Sequence, residues 1–284
     1  VHDLPKTLDD IETMAVIGAG KIGSAIIKAV LKCRHDLNII ATGRREETLK
    51  HIRSLGIEAT RNNDYAVRSS ELIVLSVKPY HFPVVVKQVS EEAWKEKTVI
   101  SVMAGVKLET LEKSLKGAEV YRAMPNINAL VMHSATALAL NRNNYRNKEV
   151  VEDLFRCLGS IFWVPEDYLD IWTGLVGSAP AFIAEIIDGL ILGAVASGMN
   201  RELAYSAILD VLEGTAKLLK TIPIHPAEMR DEVTTPAGTT IRGLMMLESE
   251  GVKAALMKTV ETSYKRSAEI GNEIDKQIRD ALKL

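Results

Sequence analysis

Two segments near opposite ends of the chain carry residue types that bind anions through backbone amides. Asp231 to Leu244 reads DEVTTPAGTTIRGL, hydroxyls, a proline and a glycine set directly before an apolar helical run. Thr239 and Thr240 would open a helix whose first amides lack intrahelical acceptors. Those amides, at the positive end of the helix dipole, favour a bound carboxylate. An ordinary N-cap, with Thr235 or Thr239 accepting from backbone amides and Pro236 stiffening the approach, accounts for the same residues. Far upstream, Met14 to Gly23 reads MAVIGAGKIG, an apolar run entering a glycine-rich turn. With a strand before it and a helix after it, the turn reads as a dinucleotide cradle, a glycine-rich turn with no ligand being the alternative. Gly18 permits the tight turn, Gly20 lets a pyrophosphate approach the backbone and Gly23 allows close helix packing, with Ala19, Lys21 and Ile22 completing the segment.

The choice of dinucleotide is made at the end of the second strand, where NAD enzymes place an acid for the ribose hydroxyls. Here the chain reads Thr42, Gly43, Arg44, Arg45. Without an acid at that turn, and with two guanidiniums suited to a phosphate, the pattern favours NADPH, with NADH as the weaker reductant. A solvated arginine pair at the start of the helix from Glu46 is the alternative. Val77, Lys78 and Pro79 end one strand and Ala104 and Gly105 follow the next, both at carboxyl edges where dinucleotides lie.

Taken in order, Gly18, Gly20 and Gly23, the VKP of Val77 to Pro79, the MPN of Met124 to Asn126, the GSAPAF of Gly177 to Phe182 and the Thr234 to Thr240 stretch resemble the pyrroline-5-carboxylate reductases over roughly Thr13 to Gly271. The resemblance implies NADPH-dependent reduction of 1-pyrroline-5-carboxylate to proline. It implies carboxylate binding by the Thr235 hydroxyl and the amides of Gly238, Thr239 and Thr240, and a catalytic role for the Thr240 hydroxyl on the ring nitrogen. It also implies that Asn63 meets the adenosine side of the cofactor, that Met124, Pro125 and Asn126 line the nicotinamide side, and that Gly177 to Pro180 close the pocket. Asn126 serves equally well as a turn residue after a strand. Ala237 and Gly238 stand where that family usually has paired glycines, and alanine resists positive φ.

No group that relays protons in alcohol chemistry announces itself. None of the seven tyrosines has a lysine four residues later, Gly174 to Leu192 contains no lysine, and the six histidines, at 2, 35, 51, 81, 133 and 225, show no metal spacing. A protonated cyclic imine needs less help, because it is already electrophilic and brings its own proton. Reduction of another small imino or keto acid is the second reading, and a non-catalytic NADP-sensing protein the third.

The elements that must position these residues follow from periodicity. Candidate strands are Met14 to Ile17, Leu37 to Ala41, Leu72 to Val77, Thr98 to Val102, Glu119 to Arg122, Ala135 to Leu140 and Ile161 to Val164, alternating with helical spacing at Lys21 to Leu31 and Glu46 to Leu55. The expected class is α/β, with an N-terminal Rossmann-type parallel-rich sheet followed by an all-α dimerisation domain. Residues 1–165 form the NADP-binding half. Residues 166–284 form the substrate-binding helices, from about Pro180 to Ser197, Arg201 to Lys220, Thr239 to Ser249 and Val252 to Ala281. Those helices are apolar enough to require a second chain, giving a homodimer or a larger assembly of dimers.

The 284 residues are 47% hydrophobic and 25% charged with a net charge of −2, a balance that offers no surface for nucleic acid or anionic membrane. The start of the chain shows no apolar signal region, and Ile183 to Val195, interrupted by Glu185 and Asp188, is expected to be too short to span a bilayer. Cys33 and Cys157 are read as separate core thiols of a cytoplasmic protein.

Overall fold

The computed structural model describes residues 6–141 and 146–284; His2 and the first residues of the polar start lie outside them. The apolar run Met14 to Ile17 is buried on both sides and forms all but the first residue of β1 (Thr13–Ile17). α1 (Lys21–Cys33) follows, its buried stripe of Ala25, Ile26, Ala29 and Val30 at helical spacing. The alternation continues through β2 (Asn38–Thr42), α2 (Glu46–Ser54), β3 (Glu58–Thr60), α3 (Asn63–Arg68), β4 (Leu72–Leu75), α4 (Phe82–Gln88), β5 (Thr98–Ser101), α5 (Leu108–Ser114), β6 (Glu119–Met124), β7 (Ser134–Ala139), α6 (Lys148–Arg156) and β8 (Gly159–Trp163).

These strands make one sheet in the order β3-β2-β1-β4-β5-β6-β7-β8. Every pairing is parallel except β6 with β7. Successive β1 residues enter opposite cores: Met14 and Val16 pack with α1 and α6, Ala15 and Ile17 with α4, α5 and the end of the last helix. A sheet buried on both faces reads as continuous apolar runs, which is why its strands stand out in the sequence. β3 is the addition to the expected set. It has three residues and no fully buried one, so it carries no periodic signal.

The helical region comprises α7 (Tyr168–Trp172), a π-helical turn (Thr173–Gly177), α8 (Ala179–Ala196), α9 (Arg201–Thr221), α10 (Pro226–Glu232), α11 (Thr239–Ser249) and α12 (Val252–Leu282). Chain contacts divide the molecule into two compact units, Val1–Gly177 with Ser263–Leu284, and Ser178–Thr262. The division differs from a cut at residue 165 because Leu169 of α7 and Ile278 of α12 are buried in the core of the sheet. In the second unit α8 buries only Ile191 and α9 only Ala204, and Leu190, Leu203, Val211 and Met257 are exposed.

Two sequence expectations are corrected. The π turn carries the helix through Gly174 and Gly177, so Tyr168–Ala196 forms one run of 29 residues with mean hydropathy 1.8 in its most apolar window, long and apolar enough to cross a membrane by length and composition. Cys33 and Cys157 are bonded to each other, with Cα atoms 5.9 Å apart across a separation of 124 residues. Cys33 ends α1 and Cys157 caps α6, two helices covering the same face of the sheet, so a tertiary contact unites residues that periodicity treats separately. The compartment inference drawn from separate thiols falls with it. Removing a bridge that closes so long a loop typically costs about 2–5 kcal/mol. Titration of the denatured, unreduced protein is therefore expected to find no free thiol, and dithiothreitol to lower the melting temperature by several degrees. Two titratable thiols and an unchanged melt would contradict the bridge.

Candidate functional site

In the first unit the site grows from the turn between β1 and α1. Gly18 has φ +88°, and a Cβ there would lie 2.6 Å from Val77 Cγ1, so only glycine fits. The Gly18 amide donates to Thr42 Oγ1 at 3.1 Å and the Ala19 amide to the Thr42 carbonyl at 2.8 Å, which pins the turn to the end of β2. A Cβ on Gly23 would lie 2.9 Å from the Gly18 carbonyl oxygen, so the helix packs directly on the turn. Gly20 differs: it is the N-cap of α1, no side chain caps that helix, and a Cβ on it would meet nothing within 4 Å. Open space over uncapped helix amides is what a pyrophosphate requires.

Around this turn lies a cleft of about 910 Å³, at the carboxyl edge where β1 is flanked by β2 and β4. Of the sequence-predicted cofactor residues, Gly18, Ala19, Gly20, Lys21, Ile22, Arg44, Arg45, Asn63, Val77, Lys78, Pro79 and Ala104 line it. Gly23 lies behind the turn, and Met124, Pro125 and Asn126 are outside the lining. Asn126 is buried, and its hydrogen bonds are internal. Its Oδ1 accepts from the Asn128 amide at 3.2 Å, and its Nδ2 donates to the Val176 carbonyl at 3.3 Å, tying the end of β6 to the π turn. These bonds give Asn126 a turn and tether role, the second of the two readings its sequence position allows, and they leave the ligand contact as an expectation.

Arg61, His81 and Met103 also line the cleft and escaped the sequence reading. Arg61 Nη2 pairs with Glu46 Oε2 at 2.8 Å and its Nε donates to the Arg44 carbonyl at 3.4 Å. Glu46 also meets Arg53 at 3.0 Å, and these cations hold its carboxyl below the usual range. Glu46, the acid next to Arg45, is thus paired with other cations, while neither Arg44 nor Arg45 forms an ion pair among the described residues. Burial, with the Arg44 charge adding to it, pushes the His81 imidazole below its ordinary value, so it is uncharged near neutrality. Asn63 Nδ2 donates to Gln88 Oε1 at 2.7 Å across the cleft wall. No group of acids, histidines or cysteines able to hold a metal occurs among the described residues.

In the second unit the Thr234 to Thr240 stretch is a preformed turn. The Gly238 amide donates to the Thr235 carbonyl at 3.1 Å, Pro236 occupies the second position, and Ala237 takes φ +57° at the third, a type II arrangement. The positive φ that alanine resists is therefore adopted. A Cβ on Gly238 would collide with the Thr235 hydroxyl. Thr234 Oγ1 donates to the Arg230 carbonyl at 2.6 Å, leaving Thr235 as the exposed hydroxyl of that pair. Gly238 is the N-cap of α11 and no side chain caps the helix, so neither Thr235 nor Thr239 plays the ordinary capping part.

Two family models match: residues 166–270 fit pyrroline-5-carboxylate reductase dimerisation, and residues 13–105 fit NADP oxidoreductase coenzyme F420-dependent. The pyrroline-5-carboxylate reductase of Methanosarcina acetivorans is 38% identical over 92% of this chain and 99% of its own. The chain belongs to the pyrroline-5-carboxylate reductase family. Pyrroline-5-carboxylate reductase 3 of Mus musculus is 33% identical over 94% of this chain and 99% of its own. Among solved structures, the Plasmodium falciparum pyrroline carboxylate reductase with NADP bound has a TM-score of 0.81 and 25% identity, covering 92% of this chain and 98% of its own. That of Coxiella burnetii has a TM-score of 0.82 and 28% identity, covering 90% of this chain and 97% of its own.

The exposed, unpaired guanidiniums make cofactor choice testable. Changing Arg44 and Arg45 together to Ala is expected to raise KM for NADPH roughly 10- to 100-fold, given about 1.5–3 kcal/mol for a charge-assisted contact, discounted for exposure. KM for NADH should barely move in parallel assays, and equal loss with both cofactors would remove the arginines from phosphate recognition.

Proposed function

We propose that the reaction of this reductase, NADPH-dependent reduction of 1-pyrroline-5-carboxylate to L-proline, is carried by positioning alone, with the Thr234 to Thr240 turn holding the substrate. The observation that supports this reading is a helix start free of any side-chain cap beside a preformed type II turn. Its amides at Gly238, Thr239 and Thr240, with the Thr235 hydroxyl, bind the carboxylate at the positive end of α11. The Thr240 hydroxyl accepts from the protonated ring nitrogen and fixes the face of the imine.

The uncapped start of α1 binds the pyrophosphate, and Arg44 and Arg45 bind the 2′-phosphate. Asn63 with Gln88 sits at the adenosine side. Val77 and Ala104 follow β4 and β5 at the carboxyl edge; β6 is parallel to β5 and ends at that edge too, which supports Met124 and Pro125 as the nicotinamide-side wall. The cofactor, when bound, supplies the hydride; the residues align donor and acceptor and exclude water. The acceptor carbon needs no acid from the protein, because the imine nitrogen arrives protonated. This matches a cleft whose one histidine is held neutral.

The chain self-associates through its dimerisation domain, for which residues 166–284 are proposed, with residues 1–165 as the nucleotide half. The apolar Tyr168–Ala196 run is assigned to a second copy of the chain and not to lipid. The dimer, or a larger assembly of dimers, is the proposed working form, to be read as a mass at or above twice 31.2 kDa by light scattering. A cytoplasmic location is part of the proposal, supported by a polyanionic reductant that does not cross membranes, and cell fractionation tests it.

Thr240→Ala carries the test of the substrate assignment. A hydrogen bond to a cationic group is worth about 1.5–3 kcal/mol, so kcat/KM for pyrroline-5-carboxylate should fall about 10- to 150-fold. NADPH affinity and the melting temperature should be unchanged. Near-normal turnover in a folded variant would take the hydroxyl away from the ring nitrogen.

A further inference from the structure

The segment after β5 carries Val102, Met103 and Ala104 along the cofactor cleft, and the end of the longest helix holds it from behind. Gly105, next in the chain, has φ +80°, and a Cβ on it would lie 2.8 Å from the Gly271 Cα. In the opposite sense, a Cβ on Gly271 would lie 3.3 Å from the Gly105 Cα. The two backbones are in direct contact: Gly105 has no room for a side chain, and a Cβ at Gly271 requires Gly105 to give by a few tenths of an ångström.

The contact has a turn of helix on either side of it. Four residues beyond Gly271, the buried Asp275 accepts from the Lys107 amide through Oδ1 at 2.9 Å. Four residues before it, Ser267 Oγ donates to Asp170 Oδ1 at 2.9 Å. Spacing of four puts Ser267, Gly271 and Asp275 on one face of α12. The next amide of the loop, Leu108, donates to Glu166 Oε1 at 2.6 Å, and that carboxylate is fixed by the buried Arg122 at 2.9 Å. Two carboxylates thus take up the first amides of α5, and the glycine pair sets the distance between α12 and the loop.

We propose that Gly271 is a positioning residue for NADPH: its backbone contact with Gly105, together with the bond from Lys107 to Asp275, sets the height of the Met103–Ala104 segment against which the cofactor rests. The inference rests on the reading that the cleft holds NADPH. A side chain at residue 271 displaces Gly105 by tenths of an ångström or more, and Gly105 cannot yield without moving Ala104.

The test uses the assembled enzyme with Gly271→Ala, Gly271→Val and Asp275→Ala. Leu154→Ala, a fully buried position in α6, serves as the control for plain loss of stability. Melting temperature, kcat, both KM values and the NADPH Kd by fluorescence titration are measured. Gly271→Val is expected to raise the NADPH Kd and KM roughly tenfold and to lower kcat, since about 1 Å of misplacement can cost about 100-fold. Gly271→Ala and Asp275→Ala should move the same way by less, with KM for pyrroline-5-carboxylate within about twofold of wild type. Leu154→Ala should melt earlier and bind NADPH normally. Gly271 and Asp275 variants that melt earlier but keep the wild-type NADPH Kd would overturn the positioning role and leave the cofactor reading intact. Wild-type enzyme that does not bind NADPH in the same titration would overturn both. If Gly271→Val does not fold, the single methyl of Gly271→Ala and the side-chain deletion at Asp275 decide the question.

Discussion

The structure depends on one steric constraint, the contact of the β1 to α1 turn with the carboxyl end of β4. At Gly18 a Cβ would overlap Val77, and at Gly23 it would press on the Gly18 carbonyl oxygen. Strand, turn and helix can therefore close to backbone contact only with glycine at both positions. That closeness turns the start of α1 toward open space at the sheet edge, where its amides lack acceptors. The same contact places Val77 and Lys78 beside those amides. The uncapped amides and the wall beside them thus follow from a single packing requirement.

Much of this arrangement is legible in the sequence, for physical reasons that differ by element. β1 is readable because burial on both faces demands four consecutive apolar residues, and α11 because Gly238 and the paired threonines mark its start at the residue observed. Short elements leave little trace: β3 borders the sheet with three residues, and α3 and α10 have too few turns for periodicity to register. Long-range pairings are invisible to local pattern. Arg61 reaches the Arg44 carbonyl from beyond β3, and Cys33 meets Cys157 only after the sheet has formed. Asn126 illustrates a further limit. Its type and place after a strand suit a ligand contact as well as a tether, and only the folded chain shows the tether, through Asn128 and Val176. At Ala237 sequence reasoning identified the right difficulty, and the turn imposes the left-handed conformation regardless.

The charges around the cofactor edge show how an exposed cluster acquires a preference. Glu46 stands in the first turn of α2, where an acid is favoured by the helix dipole, yet there it would repel a ribose phosphate. Arg53 and Arg61 both pair with it, so the helix keeps this N-terminal acid while its charge is met by cations other than Arg44 and Arg45. Surface pairs of this kind contribute little to stability. Their effect here lies in leaving Arg44 and Arg45 without an internal carboxylate partner, available for an external anion.

The same economy extends to the chemistry. Alcohol oxidation requires a base of matched pKa near the hydride acceptor, and such groups are usually the most conspicuous polar residues in a dehydrogenase. In this chain the first-unit cleft offers a neutral histidine, and the turn in the second unit offers hydroxyls and amides. A protonated cyclic imine supplies its own positive charge and its own proton, so an active site for it needs shape, a carboxylate anchor and exclusion of water. The buried charged groups, Asp275 and Arg122, accordingly serve backbone geometry, through the amide of Lys107 and through Glu166. In a reductase that works by alignment, rigidity behind the cofactor is itself a catalytic requirement, because a hydride donor misplaced by a fraction of an ångström has no acid or base to compensate for it.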